Sequence, residues 1–344
     1  MKGVVLRLGW AAFVVWAAVS LAFAINELLP GDPARMVAGV QARPADVARI
    51  RVKLGLGRPP IVRYALFWHR LVHIGPRTVD PQSDAHATCG VVAAFGRSAI
   101  HVDFGKSFQL HEAVVDVIAV RLPRTVALAV AGVGLSVLFG VVSGTFAAIR
   151  QRSWIDRLLV STSLLGISAP TFIIGLALQY VLARHLRWLP IDGFGSGLAE
   201  HARCLVMPAL TLGIYGAAYY TRLVRDEMCR LLGSAWVRTA RAKGLAPHRV
   251  VIRHALRNAA VPIVTSIGLD FGAMMGGAIV TETVFRWPGL GDLSVHATLD
   301  RDGPVLCGCL VVTAVAVVLA NVIVDMTYPI LDPRTTDRRA SGTR

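Results

Sequence analysis

Six stretches of the chain are apolar over lengths that suit a membrane-crossing helix. A helix needs about 20 residues to cross the roughly 30 Å hydrocarbon core of a bilayer. Five of the stretches carry no charged residue, and the other carries one, Asp270. They are Leu8–Ile25, Ala127–Ile149, Leu158–Ala183, Cys204–Thr221, Ala259–Thr281 and Pro304–Val324. The pattern predicts an all-α integral membrane protein with six transmembrane helices.

The first stretch has two interpretations. Lys2 and Arg7, an apolar run and then Ala22-Phe23-Ala24 imitate a cleavable secretion signal. The run reaches spanning length, however, and more apolar stretches follow it. We therefore interpret it as a retained first transmembrane helix.

The composition agrees with a membrane protein. Hydrophobic residues make up 54% of the chain, and the mean hydropathy of +0.57 is too high for a soluble domain of this size. The formal net charge of +15 could also indicate a nucleic-acid partner. We prefer a membrane explanation, because the cations cluster at span ends and no basic patch has interleaved aromatic residues. We expect contact with membrane lipid and none with nucleic acid.

Basic residues in the short connections predict the orientation, because short loops rich in Lys and Arg stay on the cytoplasmic side. Arg150, Arg152 and Arg157 lie between spans two and three. The segment Arg222–Arg257, between spans four and five, carries nine Lys/Arg against two acids. We therefore predict a multi-pass protein of the cytoplasmic membrane with both termini cytoplasmic.

Three regions follow from the spans. Residues 1–29 are the N-terminus and first span, residues 30–121 an extracytoplasmic insertion, and residues 122–344 the core membrane domain. The insertion is basic, but long loops cross the membrane largely regardless of charge.

Within the insertion the sequence predicts two helices and a loop. Ala45–Leu54 and Pro60–His73 are predicted to be helical. Pro, Asp, Ser and Gly are frequent in Gly75–Gly96, which predicts an irregular loop.

The basic cytoplasmic segment, residues 222–258, has recognisable helix boundaries. Asp226–Lys243 suits a helix, and Gly244 suits its C-terminal stop, because glycine adopts positive φ readily. Pro247 fits the first turn of a second helix, which we expect to end near Asn258. Two helices with a tight bend would form a docking surface for a cytoplasmic partner. An ordinary basic loop held near anionic lipid fits the pattern equally well.

Short motifs stand along the whole chain in a characteristic order. The basic segment contains Thr239-Ala240-Arg241-Ala242-Lys243-Gly244-Leu245, followed by His254-Ala255-Leu256-Arg257-Asn258. The other motifs are Leu29–Ala34, Leu54–Leu56, Asp103–Ser107, Arg121–Thr125, Thr281–Phe285 and Trp287–Gly291. Together they resemble the permease subunits of the bacterial dipeptide/oligopeptide/nickel ABC-importer family, most closely the first of the two paired permeases.

The resemblance implies a type I ABC importer permease fold and a transport function. Two such permeases pair in the membrane, two cytoplasmic ABC ATPases bind their signature loops, and an extracytoplasmic binding protein delivers the substrate. The substrate would be a di- or oligopeptide, moved by alternating access. The same machinery importing nickel, haem or another cargo is the alternative.

The resemblance also implies roles for particular residues. The ATPase-coupling residues would be Ala240, Arg241, Lys243, Gly244, Leu245, Pro247 and His254. A gate or binding-protein interface would contain Pro30, Gly31, Asp32, Pro33, Trp287, Pro288 and Gly289.

Three features depart from the family pattern. Arg238 stands where the general importer signature has an acidic residue, although peptide importers tolerate this. The stretch from about residue 73 to residue 100 is longer than the family pattern. Asp270 stands where an uncharged residue is expected.

Asp270 is a functional candidate, because an acid deep in a span costs about 3 kcal/mol or more. It could face the translocation path and meet a peptide's ammonium group. It could equally be a protonated or hydrogen-bonded acid at a helix interface beside Gly268 and Gly272. An ion-coupled carrier using Asp270 as its coupling site is the alternative from a different class.

The chain is not expected to be an enzyme. Gly105-Lys106-Ser107 imitates a phosphate-binding loop, but Ile100 stands where that loop needs a glycine. We therefore expect no catalytic residue and no cofactor in this chain, with ATP and Mg²⁺ held by partner subunits.

A metal site is possible but weakly indicated. His69 and His73 are four residues apart and could share one helix face, but two histidines on a surface helix are the simpler account. We predict no metal. The five cysteines are scattered, which favours packing thiols over a disulfide framework.

Overall fold

The computed structural model describes residues 2–28, 32–39, 41–53, 55–76, 88–95 and 98–331 of the 344-residue chain. These residues are mostly helical. The helices are α1 (Lys2–Leu28), α2 (Pro33–Ala38), α3 (Pro44–Lys53), α4 (Pro60–Leu71), α5 (Val114–Ile149), α6 (Trp154–Ser168), α7 (Thr171–Leu178), α8 (Leu198–Leu232), α9 (Ala235–Ala242), α10 (Pro247–Arg249), α11 (Arg257–Gly277), α12 (Ile279–Val284), α13 (Leu290–Leu299) and α14 (Gly303–Leu331). Two π-helical segments, Gln179–His185 and Val250–Leu256, follow α7 and α10. The strands are β1 (Val72–Pro76), β2 (Gly90–Phe95) and β3 (Ser98–Val102).

Helices occupy all six predicted spans. Within the described residues, four are long and apolar enough to cross a membrane: Val114–Ile149, Leu198–Leu232, Pro247–Met275 and Gly303–Val324. A bent helix pair adds a fifth if it counts as one span, and the apolar helix Gly9–Ile25 is shorter. The prediction of helical spans is confirmed. The number of six spans stays a prediction.

The third predicted span, Leu158–Ala183, is not one straight helix. Trp154–Ser168 and Thr171–His185 meet at an angle of 102°. Ala169, between them, has the extended angles φ −78° and ψ 124°. Pro170 is the cause, because its ring disfavours helical backbone in the residue before it.

The chain divides into two compact units, Met1–Arg124 with Gly289–Val315 and Thr125–Pro288 with Ala316–Arg344. The first unit has one apolar core, to which α1, α5, α13 and α14 contribute. Close packing is visible at Gly308 of α14, where an added Cβ would lie 2.8 Å from side-chain atoms of Val114 and Ile118. Asp302, which is 3% exposed, accepts hydrogen bonds from the Ser107 hydroxyl at 2.5 Å and the Gln109 backbone N–H at 3.2 Å. The predicted boundaries after residues 29 and 121 stay predictions.

The insertion contains a small antiparallel sheet in the order β1-β3-β2. Val72 pairs with Val102, and β2 pairs with β3 across a register shift between Val91 and Ala93. The prediction of an irregular loop over Gly75–Gly96 is therefore wrong at its ends, while residues 77–87 lie outside the described residues. Both predicted helices of the insertion are present, as α3 and α4, but α4 ends at Leu71, and Val72 and His73 belong to β1.

The second unit is organised around α8. At Gly140 of α5 an added Cβ would overlap the Tyr220 side chain of α8, and at Gly216 of α8 it would overlap Ser136 of α5. The two helices can approach this closely because neither position carries a side chain. The second unit thereby gains a tightly packed helix pair.

Candidate functional site

The part of the basic segment 222–258 that follows α8, residues 233–258, is the candidate for ATPase coupling and is called the coupling segment. It does not continue α8 as one helix. We predicted one helix over Asp226–Lys243, but α8 ends at Leu232 and α9 begins at Ala235. Ser234 between them is extended, with φ −70° and ψ 156°. Its hydroxyl donates to the Leu231 carbonyl at 2.5 Å, which closes the end of α8.

A tight turn at Gly244 ends α9, as the sequence predicted. Gly244 has a φ of 78°. Its N–H donates to the Arg241 carbonyl at 2.9 Å, and the Leu245 N–H donates to the Ala240 carbonyl at 3.2 Å. This pair of bonds is a Schellman motif, which satisfies the last carbonyls of the helix and places Leu245 over Ala240. Lys243 and Gly244 are exposed at the turn, and Ala240 and Leu245 are half-buried.

The second helix predicted in this segment begins at Pro247 as predicted but does not end at Asn258. We call α9 the first arm of the coupling segment and the helix from Pro247 its second arm. The backbone passes from α10 through the π-helical segment Val250–Leu256 directly into α11. Val251 and Ala255 are buried in one apolar core with α8 residues, among them Met228. The arm is therefore continuous with a predicted span, so a movement of the turn is carried into that helix.

His254 lies on the inner side of the second arm. It is half-buried, and its ring centroid lies 6.4 Å from that of Trp236 on α9, in an edge-to-face arrangement. Its carbonyl accepts from the Asn258 side-chain amide at 2.7 Å. His254 therefore joins the two arms rather than forming the outer surface.

The outer surface of the coupling segment is basic and also exposes apolar residues, among them Trp236 and Ile252. The segment has six Lys/Arg and no acid. Arg241, Lys243 and Pro247 are exposed, and Ile252 is 64% exposed. Such a surface can bind a groove that combines acidic groups with an apolar pocket.

The motif Pro30–Pro33, which follows the first predicted span, lies only partly within the described residues. Pro30 and Gly31 lie outside the described residues. Asp32 caps α2, accepting from the Ala34 N–H at 3.1 Å, with Pro33 at the first helical position. A hydrogen bond from the Arg51 guanidinium holds the pKa of Asp32 below its ordinary value.

The second predicted gate or binding-protein motif, Trp287–Gly289, is largely buried. Trp287 is 2% exposed and packs edge-to-face on Phe194, with ring centroids 4.9 Å apart. Gly289 is buried, and Pro288 is half-buried. Beside them, fully buried Glu282 accepts from the Thr125 hydroxyl at 2.8 Å. The role of this motif at a gate or binding-protein interface stays a prediction.

Asp270 lies on α11 in the second unit and is half-buried. Its carboxyl lies near enough to interact with the Tyr220 hydroxyl of α8, although that hydroxyl makes no bond of ordinary hydrogen-bond geometry with any described residue. One turn earlier on α11, the Ser266 and Tyr219 hydroxyls lie 3.2 Å apart. Tyr219 and Tyr220 are not among the predicted site residues, although two adjacent phenols in an uncharged span are a visible signal.

The two candidate metal-binding histidines do not share a helix face. His69 lies on α4, but His73 lies on β1, so the proposed i, i+4 geometry is wrong. The Nε2 atom of His73 lies 3.6 Å from the Cys89 Sγ, and its ring stacks on His101 with centroids 5.4 Å apart. Within the described part of the chain, no group of three or more His, Cys, Asp or Glu residues could hold a metal ion.

Comparison with known families identifies the chain. It belongs to the family described as "Binding-protein-dependent transport system inner membrane component", which matches residues 140–337. The corresponding N-terminal family of these membrane components matches residues 1–129. The resemblance drawn from the motifs is confirmed: the chain is an inner-membrane permease subunit of an ABC transport system, not an enzyme.

Curated relatives agree over almost the whole chain. A probable peptide ABC transporter permease of Sinorhizobium fredii is 37% identical over 315 residues, covering 91% of this chain and 92% of the relative. A putative peptide transport system permease of Brucella abortus is 35% identical over 331 residues, covering 95% and 96%. The glutathione transport system permease of Escherichia coli K12 is 36% identical over 313 residues, covering 91% and 92%.

The fold is also found among solved structures. The inward-facing MetNI methionine ABC transporter matches with a TM-score of 0.55, covering 63% of this chain and 97% of that chain. At 14% sequence identity the likeness concerns the fold alone. The type I ABC importer permease fold is confirmed.

Proposed function

We propose that this chain forms half of the membrane channel of an ATP-driven importer of di- or oligopeptides. The other half is a second, homologous permease. Two cytoplasmic ABC ATPases, which hold ATP and Mg²⁺, bind the coupling segment of each permease. An extracytoplasmic binding protein delivers the peptide, and both termini of this chain lie in the cytoplasm.

The observation that carries the proposal is the geometry of the coupling segment. Gly244 reverses the chain, and the second arm then continues without a break into α11. The buried face of that arm is fixed to α8 through Val251 and Ala255. A partner that displaced the turn would therefore move two membrane helices together, which is what alternating access requires.

Residues of the coupling segment divide between surface and support. Arg241, Lys243, Gly244 and Pro247 are exposed and would contact the ATPase. Ala240, Leu245 and His254 are half-buried and would hold the shape of that surface. An ordinary loop held near lipid does not need this folded turn.

Peptide cargo is supported by the relatives. Two of them are named for peptide transport and one for glutathione, which is itself a tripeptide. All three extend over at least 91% of this chain. Short peptides are therefore the cargo class that we assign.

The test is uptake by proteoliposomes containing this chain, its partner permease and their ATPases. We expect labelled trialanine to accumulate when ATP and the binding protein are both supplied. Accumulation driven by an ion gradient without ATP would overturn the proposal in favour of an ion-coupled carrier. ATP-driven uptake of nickel or haem but of no peptide would overturn the cargo alone.

A further inference from the structure

A polar face lies inside the predicted membrane-spanning part of the second unit, between α8 and α11. The Tyr219 and Ser266 hydroxyls are 3.2 Å apart and form its first pair. Tyr219 is 46% exposed and Ser266 8% exposed. Asp270 follows Ser266 by one helical turn and is half-buried, so it lies between the buried core and the open side of this face.

A second phenol, that of Tyr220, is buried next to Tyr219 behind this face. Tyr220 is 0% exposed, and its hydroxyl has no partner at hydrogen-bond geometry among the described residues. The ring packs edge-to-face on Tyr219, with centroids 5.4 Å apart and planes at 78°. The buried hydroxyl lies within reach of the Asp270 carboxyl but makes no hydrogen bond of ordinary geometry to it.

Such groups are not suited to lipid contact. Ionisable side chains within spans almost always face the bundle interior or a water-filled cavity. Tyr215, one turn before Tyr219 on α8, is also 41% exposed, so the face continues along the helix. A carboxyl flanked by hydroxyls and aromatic rings on an open face is suited to a polar ligand that passes through the membrane.

We infer that Asp270, Ser266 and Tyr219, backed by the buried Tyr220, form a subsite for the ammonium group of a peptide in transit. This inference rests on the proposed function. An ammonium group has three N–H donors, and the face offers carboxylate and hydroxyl oxygens as acceptors. The Tyr219 ring adds attraction for a cation. The positive charge offsets an otherwise isolated carboxylate, which favours cargo with a free N-terminus.

The first experiment measures the rate of trialanine uptake by the complete importer at saturating binding protein. A charge-assisted hydrogen bond is typically strong enough that Asp270→Asn should lower the rate about tenfold. Asp270→Glu should restore most of it. The matched control is Leu269→Asn on the adjacent residue, which is 59% exposed and contributes no charge to the subsite. Uptake by Asp270→Asn at the wild-type rate would overturn the inference.

The second experiment removes the selectivity of the binding protein. The purified complex without binding protein is titrated with trialanine and with N-acetyl-trialanine. We expect saturable binding of the free peptide, weaker binding of the acetylated one, and loss of that preference in Asp270→Asn. Equal binding of both peptides, or no saturable binding of either, would overturn the inference.

The proposed import function and the proposed subsite can be contradicted separately. If trialanine is imported with ATP and Asp270→Asn behaves as wild type, the importer remains and the subsite is wrong. Asp270 would then be a packing acid at a helix interface. If no peptide is imported, the proposed cargo is wrong.

Discussion

Asp156 and Arg225 form a two-bond ion pair between α6 and α8. Arg225 Nε donates to Asp156 Oδ1 at 2.6 Å, and Nη2 donates to Oδ2 at 2.9 Å. Asp156 also accepts from the Arg152 N–H at 2.8 Å. Its side chain is 4% exposed and that of Arg225 is 25% exposed. The pair therefore fixes the first half of the bent span to the helix that leads into the coupling segment.

Breaking this pair should destabilise the protein. Asp156→Asn removes the buried carboxylate and leaves Arg225 paired with the exposed Asp226. Removal of one member of a largely buried pair costs about 3 kcal/mol. Thermal unfolding of the purified permease measures the effect. The control is Arg230→Gln, which removes a pair with Glu227 in which Arg230 is 68% exposed. That change should alter stability by less than about 1 kcal/mol, and equal losses in both variants would contradict the role of the Asp156–Arg225 pair.

The turn at Gly244 should be sensitive to any added side chain. Apart from its chain neighbours, no described residue has an atom within 4 Å of a Cβ added there, so the effect of Gly244→Ala comes from its φ of 78°. A non-glycine residue at such a φ costs about 1–2 kcal/mol. We expect slower ATP-driven uptake with normal membrane insertion.

Gly233→Ala is the matched control for the turn. Gly233 belongs to the same segment but has an ordinary φ of −82°. The nearest atom to its added Cβ is the Cys229 carbonyl oxygen at 3.5 Å, an ordinary contact. Uptake should stay near wild type, and an equal loss in both variants would show that the Gly244 conformation is not what matters.

The packing of α11 against α14 should depend on Gly268. An added Cβ there would overlap Val324 Cγ2, whereas at Gly272 it would lie 3.5 Å from Val317 Cγ1. Gly268→Ala should therefore destabilise by about 1–3 kcal/mol, and Gly272→Ala should change little. Unfolding of the Gly268→Ala/Val324→Ala double variant tests the cause, because the smaller partner should recover part of the loss. No recovery would contradict this contact.

Trp287 should contribute mainly to the stability of the fold rather than to an interface. Its side chain is 2% exposed, so Trp287→Ala should lower the free energy of unfolding by about 3–5 kcal/mol. Trp188, which is 65% exposed, provides the comparison as Trp188→Ala. If Trp287→Ala unfolds like wild type but binds the extracytoplasmic binding protein less tightly, the residue is an interface residue after all.

Parts of the coupling segment could be predicted because single residues determine them. Gly244 and Pro247 have strong backbone preferences, so the end of α9 and the start of α10 follow from the sequence. The break at Gly233–Ser234 does not follow, because both residues can also continue a helix. The continuation past Asn258 depends on buried contacts of Val251 and Ala255 with α8, which no local pattern shows.

One error of prediction had a visible signal. Pro170 disfavours helix at Ala169, so the bend in the third span could have been foreseen. The strands were hidden for a different reason, because Gly, Pro, Asp and Ser in the predicted loop outweigh the short β-branched runs of β1 and β2. The polar face around Asp270 needs tertiary contacts between α8 and α11, which sequence spacing alone does not give.

Site-specific photo-crosslinking tests whether an ABC ATPase docks on the coupling segment. A photoreactive amino acid is placed at Lys243 or at Ile252, which is 64% exposed, and as a control at Leu299 on α13, which is 74% exposed. In membranes that contain the complete importer, we expect crosslinks to the ATPase from positions 243 and 252 and none from position 299. An ATPase crosslink from position 299, or none from either coupling position, would contradict docking on the coupling segment.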